Sequence, residues 1–198
     1  MPARKPPVYQ LKISLAGAKP PIWRRVLVDS TIMFRDLHRT IQVAMGWQAY
    51  HLHHFQLDSG VLVGDPSEDM DGMMNYVNEA VVPVSAMLMK EGSRVRYEYD
   101  FGDGWEHDIR LEKILPGADD DHLPQCSKAV RQCPPEDIGG LPGYYHFLDA
   151  MRDPAHPDHV DIVEWMGGEP FDPDAVDLEQ INDNLDRLFA QGGAPVRR

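Results

Sequence analysis

An α+β fold is predicted by two features of this 198-residue sequence. Apolar residues alternate in strand fashion through much of the first half, and they recur at helical spacing in the second. Strands first and helices later imply α+β rather than βαβ units. The expected architecture is a set of N-terminal antiparallel β-hairpins with one helix packed on the sheet, and a helical C-terminal third. The length fits one domain, placed at residues 8–190 between flexible tails at 1–7 and 191–198.

The elements follow in order. In "VYQLKISL", Tyr9, Leu11, Ile13 and Leu15 face one way while Gln10, Lys12 and Ser14 face the other, the period of a half-buried strand. "AGAKPP" turns the chain into "IWRRVLV", so the two strands form a hairpin. Phe34, Leu37, Ile41 and Ala44 or Met45 then mark a helix over about Phe34–Met45, with Gly46 where a C-terminal cap belongs. "HLHHFQL" returns to strand, and "DSG" turns into "VLVGD". Pro66–Asn78, acidic and rich in methionine, reads as a mobile loop. "VSAMLMKEG" reads as a short helix ending at Gly92. Strands follow at Arg94–Tyr99 and Ile109–Ile114, and Pro116–Gly143 reads as a long ordered loop because it has little periodicity and much Pro, Gly and Asp. Helices are expected near Tyr144–Arg152, Asp158–Met166 and Leu178–Ala190. In the last, Asp177 and Gln180 form a capping-box pattern ahead of the stripe Leu178, Ile181, Leu185 and Leu188.

"YEYDFGDGWEHDI" carries five acids and a histidine in thirteen residues, and its register decides what they can do. A two-residue Asp103-Gly104 turn would oppose aromatic residues to charges. A three-residue loop, Gly102-Asp103-Gly104, pairs Phe101 with Trp105, Tyr99 with His107, Tyr97 with Ile109 and Val95 with Leu111. One face is then apolar, and a one-residue slip would invert it, so burial favours the second register. Gly104 supplies the positive φ. Tyr97, Tyr99, Trp105, Ile109 and Leu111 should point into the core with His107, and Arg96 and Asp100 away.

Charge narrows the function classes. The net charge is −13, but residues 1–40 carry eight Lys/Arg against two Asp/Glu, leaving a balance of −19 on the remainder. An acidic surface repels phosphate backbones, so nucleic acid is a poor partner and a protein a better one. No apolar run is long enough to cross a bilayer, and "MPARKPP" lacks the apolar stretch of a secretory signal. Two cysteines give no disulfide framework, and a reducing cytoplasm is the expected home. Arg24 and Arg25 on the basic hairpin are expected to clasp Asp100, Glu136 or Asp137.

Several stretches together carry a family resemblance. "YEYDFGDGWEHDIRLEKI", "CPPEDIGGLPGYYHFLDAM" and "WMGGEPFDPDAVDLEQINDNL", with the earlier "PPIWRRVLV" and "HLHHF", resemble the plasmid pRiA4b ORF-3-like family over about Tyr9 to Leu188. The resemblance implies an α+β fold in a family found on plasmids, mobile elements and chromosomes of bacteria and archaea. Some relatives carry a resolvase-like label, TnpR, as transposon passengers, but the name supplies no mechanism.

The candidate chemistry lies in three places. His51 and His53, at i and i+2, would share a strand face and could bind a divalent metal with a third ligand such as His107, Asp103, Glu136 or Asp137. "CPPEDIGG" sets Glu136 and Asp137 on a backbone fixed by two prolines, with Gly139-Gly140 allowing a tight turn or a close backbone approach. Those acids could cap the next helix, bind a cation or meet a partner's arginines. Cys126 and Cys133, separated by six residues and with His122 nearby, read as reduced thiols rather than a zinc knuckle. The leading expectation is a non-enzymatic interaction or accessory module whose acidic binding surface is Asp100, Asp103, Trp105, Glu136 and Asp137. The alternative is a metal-dependent hydrolase or nuclease using His51, His53, Asp103, His107, Glu136 and Asp137. A resolvase-like DNA transaction is least favoured on charge.

Overall fold

The alternation in the first segment forms a strand, and the sheet grows from it. A computed structural model of the chain describes residues 5–69, 72–117 and 122–190; residues 1–4 of the expected N-terminal tail and all of the expected C-terminal tail, 191–198, lie outside them. β1 (Val8–Leu15) and β2 (Trp23–Asp29) pair antiparallel, with Leu11 opposite Val26. Leu11, Ile13, Val26 and Val28 are fully buried on the inner face, while Lys12 lies over the Trp23 ring on the outer face. α1 (Phe34–Met45) buries Phe34, Leu37, Ile41, Ala44 and Met45. Gly46 ends it in the left-handed conformation, returning its N–H to the Gln42 and Val43 carbonyls.

β3 (His53–Leu57), β4 (Leu62–Gly64) and β5 (Val77–Asn78) lead to the single-turn helix α2 (Val84–Met87). β6 (Arg94–Tyr99), β7 (Trp105–Leu115) and β8 (Gln125–Val130) complete one eight-stranded sheet in the order β5-β4-β3-β6-β7-β1-β2-β8. Every pairing is antiparallel except β4 with β5. α1 covers the inner face of this sheet, Phe34 meeting Phe55 edge-on at 4.9 Å. α3 (Gly140–Arg152), α4 (His159–Trp165) and α5 (Leu178–Ala190) follow. Asp177 accepts the Gln180 N–H at the start of α5, whose Leu185 is fully buried.

Four expectations are corrected. The stretch read as one loop from Pro116 to Gly143 contains β8, which pairs with β2, and α3 begins at Gly140 (residues 118–121 lie outside the described ones). The stretch Pro66–Asn78 holds a 3₁₀ turn at Pro66–Glu68 and the edge strand β5, with residues 70–71 outside the described ones. The short helix expected to run to Gly92 ends at Met87.

The fourth concerns the hairpin, where Tyr99 pairs with Trp105, Tyr97 with His107 and Val95 with Ile109. That is two residues from the expected register, so the face assignment of the strands survives while every partner changes. Tyr97, Tyr99, Trp105, Ile109 and Leu111 are all buried, and Arg96 is exposed. The ladder stops early because Asp100 turns into the left-handed region at φ 57°. There its carbonyl takes the Gly104 N–H and its Oδ1 takes the Gly102 N–H. Asp100 is therefore buried rather than outward, and Phe101, expected opposite Trp105, is exposed.

The arginine clasp also takes other partners. Arg25 forks onto Glu112 on the outer face, with Nε–Oε2 2.6 Å and Nη2–Oε1 3.1 Å. Arg24, on the inner face, is buried and donates to the carbonyls of Ala44, Trp23, Val130 and Arg131. Strand alternation separates the two, and Arg24 finds its acceptors in one C-terminal carbonyl of α1 and three from β2 and the end of β8.

Candidate functional site

One carboxylate ties three segments of the chain together. Glu136 Oε1 accepts the Tyr99 hydroxyl at 2.5 Å, and Oε2 accepts the Gln48 N–H at 2.9 Å. Tyr99 in turn accepts the Tyr50 N–H, and Gln42 of α1 accepts the Ala49 N–H. The Trp47 indole donates to the Pro134 carbonyl from the other side. The chain between α1 and β3, the end of β6 and the Pro-Pro loop are thus fixed against one another. Burial, and then the Glu136 carboxylate, push the Tyr99 phenol far above its ordinary range.

Asp100 follows Tyr99, Asp137 follows Glu136, and His51 lies three residues beyond Gln48. These three side chains converge. His51 Nε2 stands 3.0 Å from Asp137 Oδ1 and 3.8 Å from Asp100 Oδ2. The nitrogen is buried and, among the described residues, makes no hydrogen bond with either oxygen or any other atom. Asp100 Oδ1 is held by Gly102, which leaves Oδ2 for the shared point. Asp137, like Asp100, is left-handed at φ 58°. Ligand atoms about 2.1 Å from one divalent ion lie about 3.0–3.5 Å apart, close to these separations. Lone pairs aimed at a common point, rather than along an N–H···O line, are what a cation would require. One imidazole and two carboxylates suit zinc or manganese and leave coordination positions open.

Beside this triad lies a cleft of about 330 Å³, lined among others by Asp137, Ile138, His146, Phe147, Asp158 and Trp165. Of the triad Asp137 lines it, and most of the other lining residues belong to α3 and α4.

The other residues singled out in the sequence divide. Asp103 Oδ2 accepts the Gly139 N–H at 3.0 Å, pinning the hairpin tip to the Pro-Pro loop. Gly140 is needed there, since a Cβ would lie 2.4 Å from the Asp103 carbonyl oxygen. Trp105 is not on a binding surface: it is buried against Trp47, with ring centroids 5.6 Å apart. Glu136 and Asp137 do not cap the next helix, whose N-terminal cap is Gly139 without a side-chain bond.

His53 and His107 do not join His51. β3 begins at His53, so the i, i+2 relation across a strand face does not hold for His51. His53 instead pairs with buried Glu79 at 2.8 Å and stacks on His38, with rings 3.5 Å apart. His38 also meets the Tyr97 hydroxyl at 2.8 Å, and burial together with His53 and Arg39 holds it well below its ordinary value. His107 is fully buried, and burial pushes it down to about 4. Cys126 and Cys133 are free and buried, and Cys133 is pushed up to about 12 by burial.

The sequence reading missed Tyr99 as the partner of Glu136, Glu79 as the partner of His53, and the histidines around "HPDH". A glutamate followed by an aspartate on a Pro-Pro step marks the loop but not the division of labour within it. The density of histidine in His146–His159 was a usable signal.

Known proteins similar to this one share nearly its whole length. An uncharacterized protein, y4hQ, of Sinorhizobium fredii (strain NBRC 101917 / NGR234) is 38% identical over 192 residues, covering 96% of this chain and 97% of its own. The crystal structure of a protein of unknown function, MM3350 from Methanosarcina mazei Go1, aligns with a TM-score of 0.77 at 37% identity, covering 87% of this chain and 96% of that one. Among the described residues no helix is long and apolar enough to cross a membrane. The family model for the plasmid pRiA4b ORF-3-like protein matches residues 7–180, and the chain belongs to that family.

Proposed function

We propose that this protein is a divalent-metal-binding accessory module, with the ion held by His51, Asp100 and Asp137 at the lip of the α3–α4 cleft. One observation carries the reading: the buried His51 Nε2 lies between two carboxylate oxygens and hydrogen-bonds to neither. The Glu136 clamp supports it, because it holds the three ligand segments in place before any ion arrives. The acidic surface expected from sequence then becomes an ion site plus a structural acid, rather than a uniform charged patch.

Metal-dependent hydrolysis is the second reading, favoured by the cleft that Asp137 lines beside the proposed ion. Asp158 and Asp161 line that cleft, and the chain carries a net charge of −13, which favours neutral or cationic substrates over phosphodiesters.

Zinc and manganese titrations of chelator-treated full-length protein test the first reading. Asp137→Asn keeps the shape and tolerates the left-handed backbone, so it should weaken binding at this centre by about tenfold or more. Unchanged affinity in Asp137→Asn and in His51→Gln would refute the reading.

A further inference from the structure

The α3–α4 side of the same cleft carries a second set of metal donors. His146 projects from the middle of α3, and its Nε2 stands 3.0 Å from Asp158 Oδ2. His156 Nδ1 lies 3.9 Å from the same oxygen. His146, His156 and Asp158 each offer one ligand atom, all within 4.8 Å of one another. His146 and Asp158 line the cleft that also takes in Asp137.

These donors are held by their own loop. Between α3 and α4, Asp153 accepts the Ala155 N–H through Oδ1 and the His156 N–H through its carbonyl. His159 Nδ1 meets the Ala150 carbonyl at 2.7 Å, and Pro154 and Pro157 restrict the intervening backbone. Asp158 occupies the cap position of α4 yet makes no side-chain cap bond; its carboxylate reaches towards His146 instead. His156 Nδ1 accepts the Asp158 N–H at 3.1 Å, so its lone pair is already on that nitrogen. An ion would exchange that one hydrogen bond for a coordinate bond.

We propose that His146, His156 and Asp158 form a second divalent-metal centre across the cleft from the first, so that a ligand in the cleft meets an ion on each wall. Two imidazoles and one carboxylate make a softer set than the one-imidazole, two-carboxylate triad. The second centre should therefore prefer zinc or cobalt over manganese more strongly than the first. The proposal extends the metal reading of the first site but rests on different residues.

Equilibrium dialysis of zinc against chelator-treated full-length protein separates the two. Wild type should bind two ions per chain, and His146→Gln and Asp137→Asn one each. Cobalt should give a visible absorption band that His146→Gln reduces and Asp137→Asn leaves. His146 is half exposed, so His146→Gln should fold; His156→Gln, with the same expected loss, guards against the case in which it does not. One ion in wild type that survives both histidine variants overturns the second centre and leaves the first. One ion lost in His146→Gln but kept in Asp137→Asn supports the second centre and removes the first. No bound zinc in wild type overturns both.

Discussion

His51 and His53 are two residues apart and each faces carboxylate oxygen at hydrogen-bond distance, yet they occupy opposite situations. His53 is buried, bonded through Nε2 to a buried Glu79 and stacked on His38, so that nitrogen is spent on the fold. His51 is half-buried, with Nε2 3.0 Å from Asp137 Oδ1 and 3.8 Å from Asp100 Oδ2 and hydrogen-bonded to neither. For this pair the difference is that Nε2 of His53 has a hydrogen-bond partner and Nε2 of His51, beside exposed Asp137, has none. Proximity of imidazole to carboxylate does not distinguish the two; hydrogen-bond accounting does.

The largest test of this contrast removes each histidine. His53→Ala leaves Glu79 as a buried carboxylate without its partner and should cost about 3–5 kcal/mol. His51→Ala, at a partly exposed position with no hydrogen bond from Nε2 to lose, should cost under about 1 kcal/mol. Urea unfolding monitored by tryptophan fluorescence reads both. Equal losses would end the distinction between a structural and an available histidine.

Acid should act through the buried set. Folded His107 stays neutral down to about 4, whereas in the unfolded chain an imidazole protonates near its ordinary 6.5. The unfolded state therefore binds the proton first. Stability contributed by neutral His107 is fully present above pH 6.5 and is lost as pH falls towards 4, by roughly 3 kcal/mol in all. His38, also held low, adds in the same direction. Unfolding free energies measured between pH 7.5 and 4 should fall across this window, and His107→Phe should flatten the decline. A variant with the wild-type slope would show that His107 is not the group responsible.

What could be read from the sequence follows the same division between spent and available groups. The bounds of α1 were legible because its apolar stripe is continuous and Gly46 punctuates it. The inward face of β6 and β7 was legible because period-two burial survives a two-residue register shift. β8 was not, since in "QCSKAV" only Cys126 is buried and the strand exists through its pairing with β2. For the site, His51, Asp100 and Asp137 were each singled out, but His51 was joined to the wrong histidine. Their meeting depends on two left-handed aspartates and on the Tyr99–Glu136 bond, tertiary features with no local period.

A smaller effect separates neighbouring acids. Glu136→Gln removes the charge from a 2.5 Å hydrogen bond with Tyr99 and should cost about 1.5–3 kcal/mol in metal-free buffer. Retention of full stability would mean that the Glu136 clamp does not hold the three segments together.

The smallest expected effect on the metal-free protein is that of Asp137→Asn, and it is the most discriminating. Asp137 is two-thirds exposed, caps no helix, and makes no hydrogen bond with the neighbouring His51 Nε2. Without metal its melting temperature should match wild type, a difference within about 0.5 kcal/mol. Adding zinc changes the comparison, because an ion that binds only the folded state stabilises it by mass action, by about 2.7 kcal/mol at a hundredfold excess over Kd. Wild type should then melt higher with zinc, and Asp137→Asn should gain less of that rise. The part of the rise lost in Asp137→Asn belongs to the His51 centre, and the part that remains belongs to other zinc-binding groups. If Asp137→Asn instead melts lower than wild type before any zinc is added, Asp137 is a structural acid like Glu136, and His51 loses its standing as an available group.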